Sequence, residues 1–138
     1  MVVRNYLLDT NIISYILKKN ASVNNKLQQV TRQGDEVFIS CITYYEVKRG
    51  LLALNATRKL TEFNTFVQKY EVLYLDDIEI IETACRIHAN LKNKGRPIQD
   101  ADVLIAATAI TRGLILVSND SDMARIEEIY LENWVAQN

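Results

Sequence analysis

Short apolar runs alternate with longer stretches of helical periodicity along the 138-residue chain. Runs of three or four apolar residues, rich in branched side chains, have the length and composition of buried strands, and they lie at 6–8, 37–39, 72–75 and 114–117. Between these runs the apolar side chains recur with helical spacing, which predicts helices over 12–17, 21–33, 43–54, 60–70, 77–95 and 102–112. Tyr130, Leu131 and Trp134 predict a last edge strand.

The segment from Gly95 to Ile126 combines a buried helix and a buried strand. Residues 102–112 are apolar on nearly every side rather than along one stripe, which is typical of a helix that is covered all round. Gly113 is placed to end this helix in the left-handed conformation. The continuous run 114–117 then predicts a strand that is covered on both faces.

Alternation of strands and helices indicates an α/β fold. Such a pattern predicts a parallel sheet covered by helices on both sides, with right-handed crossovers. We expect four to five strands in a central sheet and one domain spanning residues 1–138. In such sheets ligands bind beyond the carboxyl ends of the strands, and Asp9 and Asp120 both follow strand ends directly. If these two strands are neighbours, their carboxylates converge.

Composition narrows the class of protein further. Hydrophobic residues make up 49% and charged residues 24%, with four Gly and one Pro, so no linker is expected. The net charge of -1 excludes a globally basic nucleic-acid binder but leaves room for a local basic rim. Cys41 and Cys85 lack metal-ligand spacing and predict buried, reduced thiols. No signal peptide and no membrane span is recognisable, which predicts a cytoplasmic protein.

Each acid near a strand end has an ordinary structural explanation when it is taken alone. Asp9 has the character of a helix N-cap. Glu46 is spaced to close a capping box with Thr43. Asp100 is placed to cap the buried helix, and Asp102, two residues further on, is favoured there by the helix dipole. Asp120 and Asp122 have the character of turn residues.

Together, however, the acid-bearing segments all fall on one edge of the predicted sheet. Like charges packed together raise each other's pKa and cost stability unless they are neutralised. No basic residue is placed to form an obvious buried pair with them, since Lys48 and Arg49 follow Glu46 but should point away from its face. A hard divalent cation bound by carboxylate oxygens would relieve this repulsion, and Mg²⁺ or Mn²⁺ suits a site without His or Cys.

Three segments in order resemble the motifs of PIN-domain ribonucleases, in particular the VapC toxins. They are LLDTN (7–11), TYYEVKRG (43–50) and GRPIQDADVLIAATAITRGLILVSND (95–120), and the resemblance extends over the whole chain. It implies a three-layer α/β/α PIN-like domain. By position, the four acids of the family would be Asp9, Glu46, Asp102 and Asp120.

Asp122 would be an accessory acid in this family, where the acid commonly precedes an aromatic residue. Met123 stands in the place of that aromatic residue, so the division of roles between Asp120 and Asp122 stays open. Asp100 has no clear counterpart in the family and remains a predicted cap.

The resemblance also implies the chemistry. One or two Mg²⁺ ions, or Mn²⁺ as a substitute, would be held by Asp9, Asp102 and Asp120 and would activate a water. Glu46 would orient that water or hold a second ion. Cleavage of structured RNA, such as tRNA or ribosomal RNA, would leave a 5′-phosphate and a 3′-hydroxyl. Asn11 and Ser118 are candidates for fixing the orientation of the carboxylates.

The partners implied by the resemblance are a second copy of the chain, the RNA substrate and a VapB-type antitoxin whose C-terminal segment lies in a groove near the acids. Aromatic residues are candidates for that groove, for the dimer contact or equally for ordinary core: Tyr44, Tyr45, Phe63 and Phe66. Basic residues are candidates for holding the RNA backbone or for a solvated face: Lys18, Lys19, Lys48, Arg49, Lys92, Lys94 and Arg96.

Three other classes of protein also place an acid after the first strand or form an acidic pocket. A haloacid-dehalogenase-type phosphohydrolase needs a second Asp where this chain has Asn11. A receiver-like signalling module needs a lysine after a late strand, where this chain has Ser118 followed by Asn and Asp. A PIN-like fold used only as a binding module would not need the full set of acids. The single histidine, His88, is expected to be structural.

Overall fold

A computed structural model describes residues 4–136, which form a five-stranded sheet and six α-helices. The strands are β1 (Asn5–Leu8), β2 (Glu36–Ser40), β3 (Glu71–Leu73), β4 (Ile115–Val117) and β5 (Leu131–Glu132). The helices are α1 (Thr10–Leu17), α2 (Ala21–Arg32), α3 (Cys41–Ala53), α4 (Thr57–Lys69), α5 (Ile78–Asn93) and α6 (Asp100–Arg112). A short 3-10 helix at Ser121–Arg125 follows β4.

The sheet is parallel throughout and has the order β3-β2-β1-β4-β5. The first strand of the chain is therefore the central one, and Leu8 at its end lies opposite Ile39 of β2 and Val117 of β4. This arrangement confirms the predicted α/β class, the parallel sheet and the last edge strand. It also confirms the condition on which the acids were expected to converge, because β1 and β4 are neighbours.

Helices cover both faces of the sheet, as expected for three layers. Successive residues of β1 point to opposite sides, so Tyr6 and Leu8 belong to one core while Leu7 belongs to the other. The first core contains buried residues of α1 to α4, and the second contains those of α5 and α6. Within residues 4–136, no helix combines the length and the apolar character that a membrane span requires.

Helix α4 begins at Thr57, three residues before its predicted start, and the predicted starts of α3 and α6 are wrong because of their caps. Helix α3 begins at Cys41 because the Ser40 side chain caps it, accepting a hydrogen bond from the Ile42 amide at 3.1 Å. Glu46 is therefore inside the helix, and its predicted capping box does not exist. Asp100 is the first residue of α6 rather than its cap, and the residue before it, Gln99, makes no side-chain capping bond.

Other predictions about single residues have mixed outcomes. Both cysteines are free, as expected, but Cys41 is half-buried and Cys85 is exposed on α5, so their predicted burial is wrong. Phe63 and Phe66 are core residues, whereas Tyr45 is 59% exposed. At the end of α6, Gly113 adopts the predicted left-handed conformation with φ of 68°.

Candidate active site

The carboxyl ends of β1 and β4 bring Asp9 next to the loop that follows Val117. The Asp9 amide donates to the Val117 carbonyl at 2.9 Å, which extends the strand pairing by one residue. Asp9 is only 2% exposed, so its carboxylate is buried at the carboxyl edge of the sheet. We refer below to Asp9, Glu46, Asp102 and Asp120 as the site acids.

Both oxygens of Asp9 accept hydrogen bonds. The Thr10 amide donates to Oδ1 at 2.8 Å, which makes Asp9 the predicted N-cap of α1. The Ser118 hydroxyl donates to Oδ2 at 2.7 Å, and the Asn11 amide group donates to the same oxygen at 3.3 Å. Asn11 and Ser118, named from the sequence as supporting residues, therefore both hold the Asp9 carboxylate in place.

The loop after β4 is held by the same side chains. The Asp120 amide donates to Ser118 Oγ at 3.0 Å, and the Asn119 amide donates to Asn11 Oδ1 at 2.9 Å. Asp120 in turn accepts a hydrogen bond from the Asp122 amide at 2.9 Å through Oδ1, as the cap of the 3-10 helix. One oxygen of Asp120 is thus structural, and Oδ2 is left for a ligand.

Glu46 reaches the site from α3. The Thr10 hydroxyl donates to Glu46 Oε1 at 2.7 Å, so the acid on α3 is tied to the residue that follows Asp9. This contact has no signal in the sequence, because Thr10 and Glu46 are brought together only by packing of α1 against α3.

Asp102 is the site acid whose charge is least compensated. Partial burial, followed by the negative charges of Asp9, Asp120, Glu46 and Asp122, raises the pKa of Asp102 to about 6. Burial also raises the pKa of Asp9, although the hydrogen bonds from Ser118 and Thr10 oppose this effect. The charges of Asp120 and Glu46 add to the rise. Since the site acids act on one another in this way, the structure brings all four together.

Asp122 differs from the site acids because it has a cation partner. Its Oδ1 lies 2.9 Å from Nη2 of Arg125, three residues later. The Asp122 side chain is 48% exposed, so this is not the buried pair that the sequence argument excluded. The pair itself was not predicted, because the 3-10 helix that sets its spacing was not predicted. Elsewhere in residues 4–136, no Lys, Arg or His forms an ion pair with a site acid.

A cleft of 430 Å³ opens beside the acids. Asp102, Asp120 and Asp122 line it together with a second wall formed by Pro97, Ile98 and Gln99. This second wall was not predicted from the sequence, although the segment lies directly before α6. It supplies apolar surface and one neutral amide opposite the carboxylates.

The donor set fits a hard divalent cation. All candidate ligands are carboxylate oxygens, and burial together with neighbouring negative charges raises the pKa of Asp9 and Asp102. Among the residues that the structure describes, no three His, Cys, Asp or Glu side chains are arranged to hold an ion by themselves. Mg²⁺ nevertheless fits such a site, because it is usually bound by one or two carboxylates and completes its coordination with water and substrate phosphate.

Some of the basic residues named from the sequence are engaged elsewhere. Lys19 pairs with Glu62 at 3.4 Å, and Lys94 pairs with Glu127 at 2.6 Å. On α3, Lys48 donates to the Tyr44 hydroxyl at 2.9 Å. The remaining candidates on exposed positions are Lys18, Arg49, Lys92 and Arg96.

Comparisons with known proteins agree with the geometry. Residues 6–129 match the family model of the PIN domain. The tRNA(fMet)-specific endonuclease VapC of Shigella flexneri is 33% identical over 132 residues, covering 94% of this chain and 97% of that protein. Ribonuclease VapC1 of Haemophilus influenzae (strain R2866) is 28% identical over 131 residues, with coverage of 94% and 97%. A solved structure of VapBC2 from Rickettsia felis, bound to a DNA fragment from its promoter, superimposes with a TM-score of 0.87 at 27% identity. That match covers 94% of this chain and 98% of the other.

Proposed function

The chain belongs to the PIN-domain family, within its VapC ribonucleases, and from this premise we propose that it is the toxin of a type II toxin–antitoxin pair which cleaves structured RNA with Mg²⁺. The observation that carries the proposal is the convergence of the site acids on Asp102 without a paired cation. Mn²⁺ is expected to substitute for Mg²⁺, because it prefers the same ligands. The place of action is proposed to be the cytoplasm, where structured RNAs such as tRNA are found.

Each site acid has a proposed role. Asp9, Asp102 and Asp120 would hold one or two metal ions, and Glu46 would orient the attacking water or contribute to a second ion. When bound, the cation supplies positive charge that lowers the pKa of a water and shields the scissile phosphate. Asn11 and Ser118 keep the Asp9 carboxylate in one orientation through their hydrogen bonds. Asp122 is an accessory acid, since its charge is already compensated by Arg125.

The chain's own side chains define how the substrate is held. Glu46 has one oxygen bonded to Thr10, so Oε2 is the atom that accepts a proton or a hydrogen bond from the attacking water. The wall of Pro97, Ile98 and Gln99 would contact sugar and base while the phosphate faces the acids. Arg96 directly precedes this wall and is the best placed of the exposed basic residues to contact the RNA backbone.

The partners follow from the relatives. The solved structure from Rickettsia felis is a VapBC complex, and we propose that this chain likewise binds a VapB-type antitoxin and forms a homodimer. The Shigella relative is named for tRNA(fMet), so we propose tRNA as the substrate class and initiator tRNA as the first substrate to test.

The test is cleavage of purified tRNA by the purified protein in Mg²⁺ or in EDTA. We expect 5′-phosphate products with Mg²⁺ and none with EDTA, and a loss of at least about a hundredfold in rate for Asp102→Asn. Asp76→Asn is the matched control, because Asp76 is an exposed acid paired with Arg112 on another part of the surface, and its rate should be unchanged. Equal cleavage in EDTA would exclude metal-dependent catalysis.

A further inference from the structure

Thr10 is in direct contact with two site acids from different parts of the chain. Its backbone amide donates to Asp9 Oδ1 at 2.8 Å, and its hydroxyl donates to Glu46 Oε1 at 2.7 Å. The first contact is local, whereas the second spans 36 positions in the sequence and joins α1 to α3. Thr10 is thus the direct connection between the acid after β1 and the acid on α3.

A second hydroxyl, that of Thr43, lies beside the Thr10 hydroxyl. Oγ1 of Thr43 lies 3.1 Å from Oγ1 of Thr10, and Thr43 is 0% exposed. An ionised carboxylate has no proton to give, so the proton of the Thr10 hydroxyl must point to Glu46. The Thr10 oxygen then accepts a hydrogen bond from the Thr43 hydroxyl. Thr43 therefore donates to Thr10, and Thr10 donates to Glu46.

Glu46 has no other hydrogen-bond donor within residues 4–136. Arg49, three residues later on the same helix, is spaced to pair with Glu46 but lies over the ring of Tyr45 at 4.9 Å. A long carboxylate side chain without a fixed donor samples several rotamers. A hydroxyl bond of 2.7 Å to a charged acceptor is a strong constraint on that freedom.

We propose that Thr10 is a positioning residue, which holds Glu46 Oε1 so that Oε2 faces the attacking water. This inference rests on the proposed function, because it assigns the residue that makes the Glu46 carboxylate usable. The hydrogen bonds from Thr43 to Thr10 and from Thr10 to Glu46 then support catalysis in the same way as hydrogen bonds to the ligands of a metal site. Loss of such a hydrogen bond typically lowers activity about 10–100-fold.

The test compares Thr10→Val with Thr10→Ser in single-turnover and steady-state cleavage of tRNA. Valine keeps the shape and the backbone donor to Asp9 but removes the hydroxyl, so kcat should fall about 10–100-fold with KM within about twofold. Serine keeps the hydroxyl and should restore most of kcat. Thr43→Val removes only the outer hydroxyl and should give a smaller loss than Thr10→Val. Thr111→Val is the matched control, since that half-buried hydroxyl contacts Thr83 between α5 and α6, and its kcat should not change.

The Glu46→Gln background shows whether Thr10 acts through Glu46. If it does, Thr10→Val lowers kcat further by less than about twofold when Glu46 is already Gln. Multiplicative losses in the double variant, or a Thr10→Ser variant as slow as Thr10→Val, would overturn the proposal. If wild type does not cleave RNA, the proposed function fails instead. Crystal structures of the two variants then still test the role of Thr10. The Glu46 side chain should leave its position in Thr10→Val and keep it in Thr10→Ser.

Discussion

Two aspartates of the site both have a raised pKa, but they differ in the hydrogen bonds that offset it. Asp9 is buried, but it accepts hydrogen bonds on both oxygens, from Thr10 on one and from Ser118 and Asn11 on the other. Asp102 is affected only by burial and by negative neighbours, and each of these raises its pKa. Hydrogen bonds therefore offset part of the cost of burying the negative charge of Asp9, whereas nothing of this kind offsets the cost for Asp102.

Replacing each of these aspartates by asparagine should separate stability from catalysis. Asp9→Asn places an amide donor against the Ser118 and Asn11 donors and should lower the free energy of unfolding by about 1–3 kcal/mol. Asp102→Asn removes a repelled charge and should raise the melting temperature of the metal-free protein near neutral pH. Both variants should lose cleavage. Urea unfolding in EDTA measures the difference, and a destabilised Asp102→Asn would mean that repulsion does not control this residue.

At the scale of single elements, the junction between α6 and β4 sets the distance between Asp102 and Asp120. Helix α6 ends at Gly113 with φ of 68°, and β4 begins two residues later. Only a residue that tolerates the left-handed conformation permits so short a connection. A helix that is buried nearly all round then holds Asp102, and β4, which is paired on both sides, leads into the loop that holds Asp120.

Two glycine substitutions should test this junction against a matched control. Gly113→Ala forces a side chain into the left-handed conformation and should cost about 1–2 kcal/mol of stability. Gly50→Ala lies inside α3, and nothing lies within 4 Å of its added Cβ. Alanine there should stabilise the protein by about 0.5–1 kcal/mol. Both values follow from denaturant unfolding, and equal effects of the two changes would show that backbone conformation is not the cause.

The sequence predicted the elements and several caps correctly, but it placed the N-caps of α3 and α6 wrongly. Apolar runs and helical spacing identified all five strands and six helices within residues 4–136, because burial of one face or two determines both patterns. The start of α3 was wrong because Ser40 and Thr43 are both good caps, and only the length of β2 decides between them. Asp100 was misjudged for a different reason, because Gln99 stands at the cap position without making a side-chain capping bond.

Only the site residues that directly follow strand ends could be placed from the sequence. The positions of Asp9 and Asp120 follow from the order of strands, once β1 and β4 are paired. The contact from Thr10 to Glu46 and the wall at Gln99 depend on how helices pack and how a loop turns. The pair of Asp122 with Arg125 needs a 3-10 turn that has no periodic signal in five residues.

At the scale of the whole molecule, the unpaired acids couple folding stability to pH and to metal. The pKa of Asp102 is raised to about 6 in the folded protein from an ordinary value of 3.8. Its protonated form therefore stabilises the metal-free fold fully below about pH 4, and this contribution is lost as the pH rises through about 6. The proposed cation would replace the proton above that range.

Divalent metal should consequently stabilise the protein more near neutral pH than in acid. Saturation at about a hundred times the dissociation constant adds about 2.7 kcal/mol of stability, which corresponds to several degrees of melting temperature. We expect this shift with millimolar Mg²⁺ or Mn²⁺ near pH 7.5, a smaller one near pH 5, and little shift in Asp102→Asn. Melting curves with NaCl at equal ionic strength are the control, and an equal shift with NaCl would argue against a bound ion.

The central position of β1 has a consequence for the synthesis of the protein. The hydrogen bond from Ser118 to Asp9 spans 109 positions, so Asp9 leaves the ribosome long before its partner. Until β4 has been translated, β1 has only β2 beside it, and neither Asp102 nor Asp120 is in place. Contacts so distant in sequence form late in folding. The site is therefore complete only when nearly the whole chain has been translated, and we expect the nascent chain not to cleave the RNA around it.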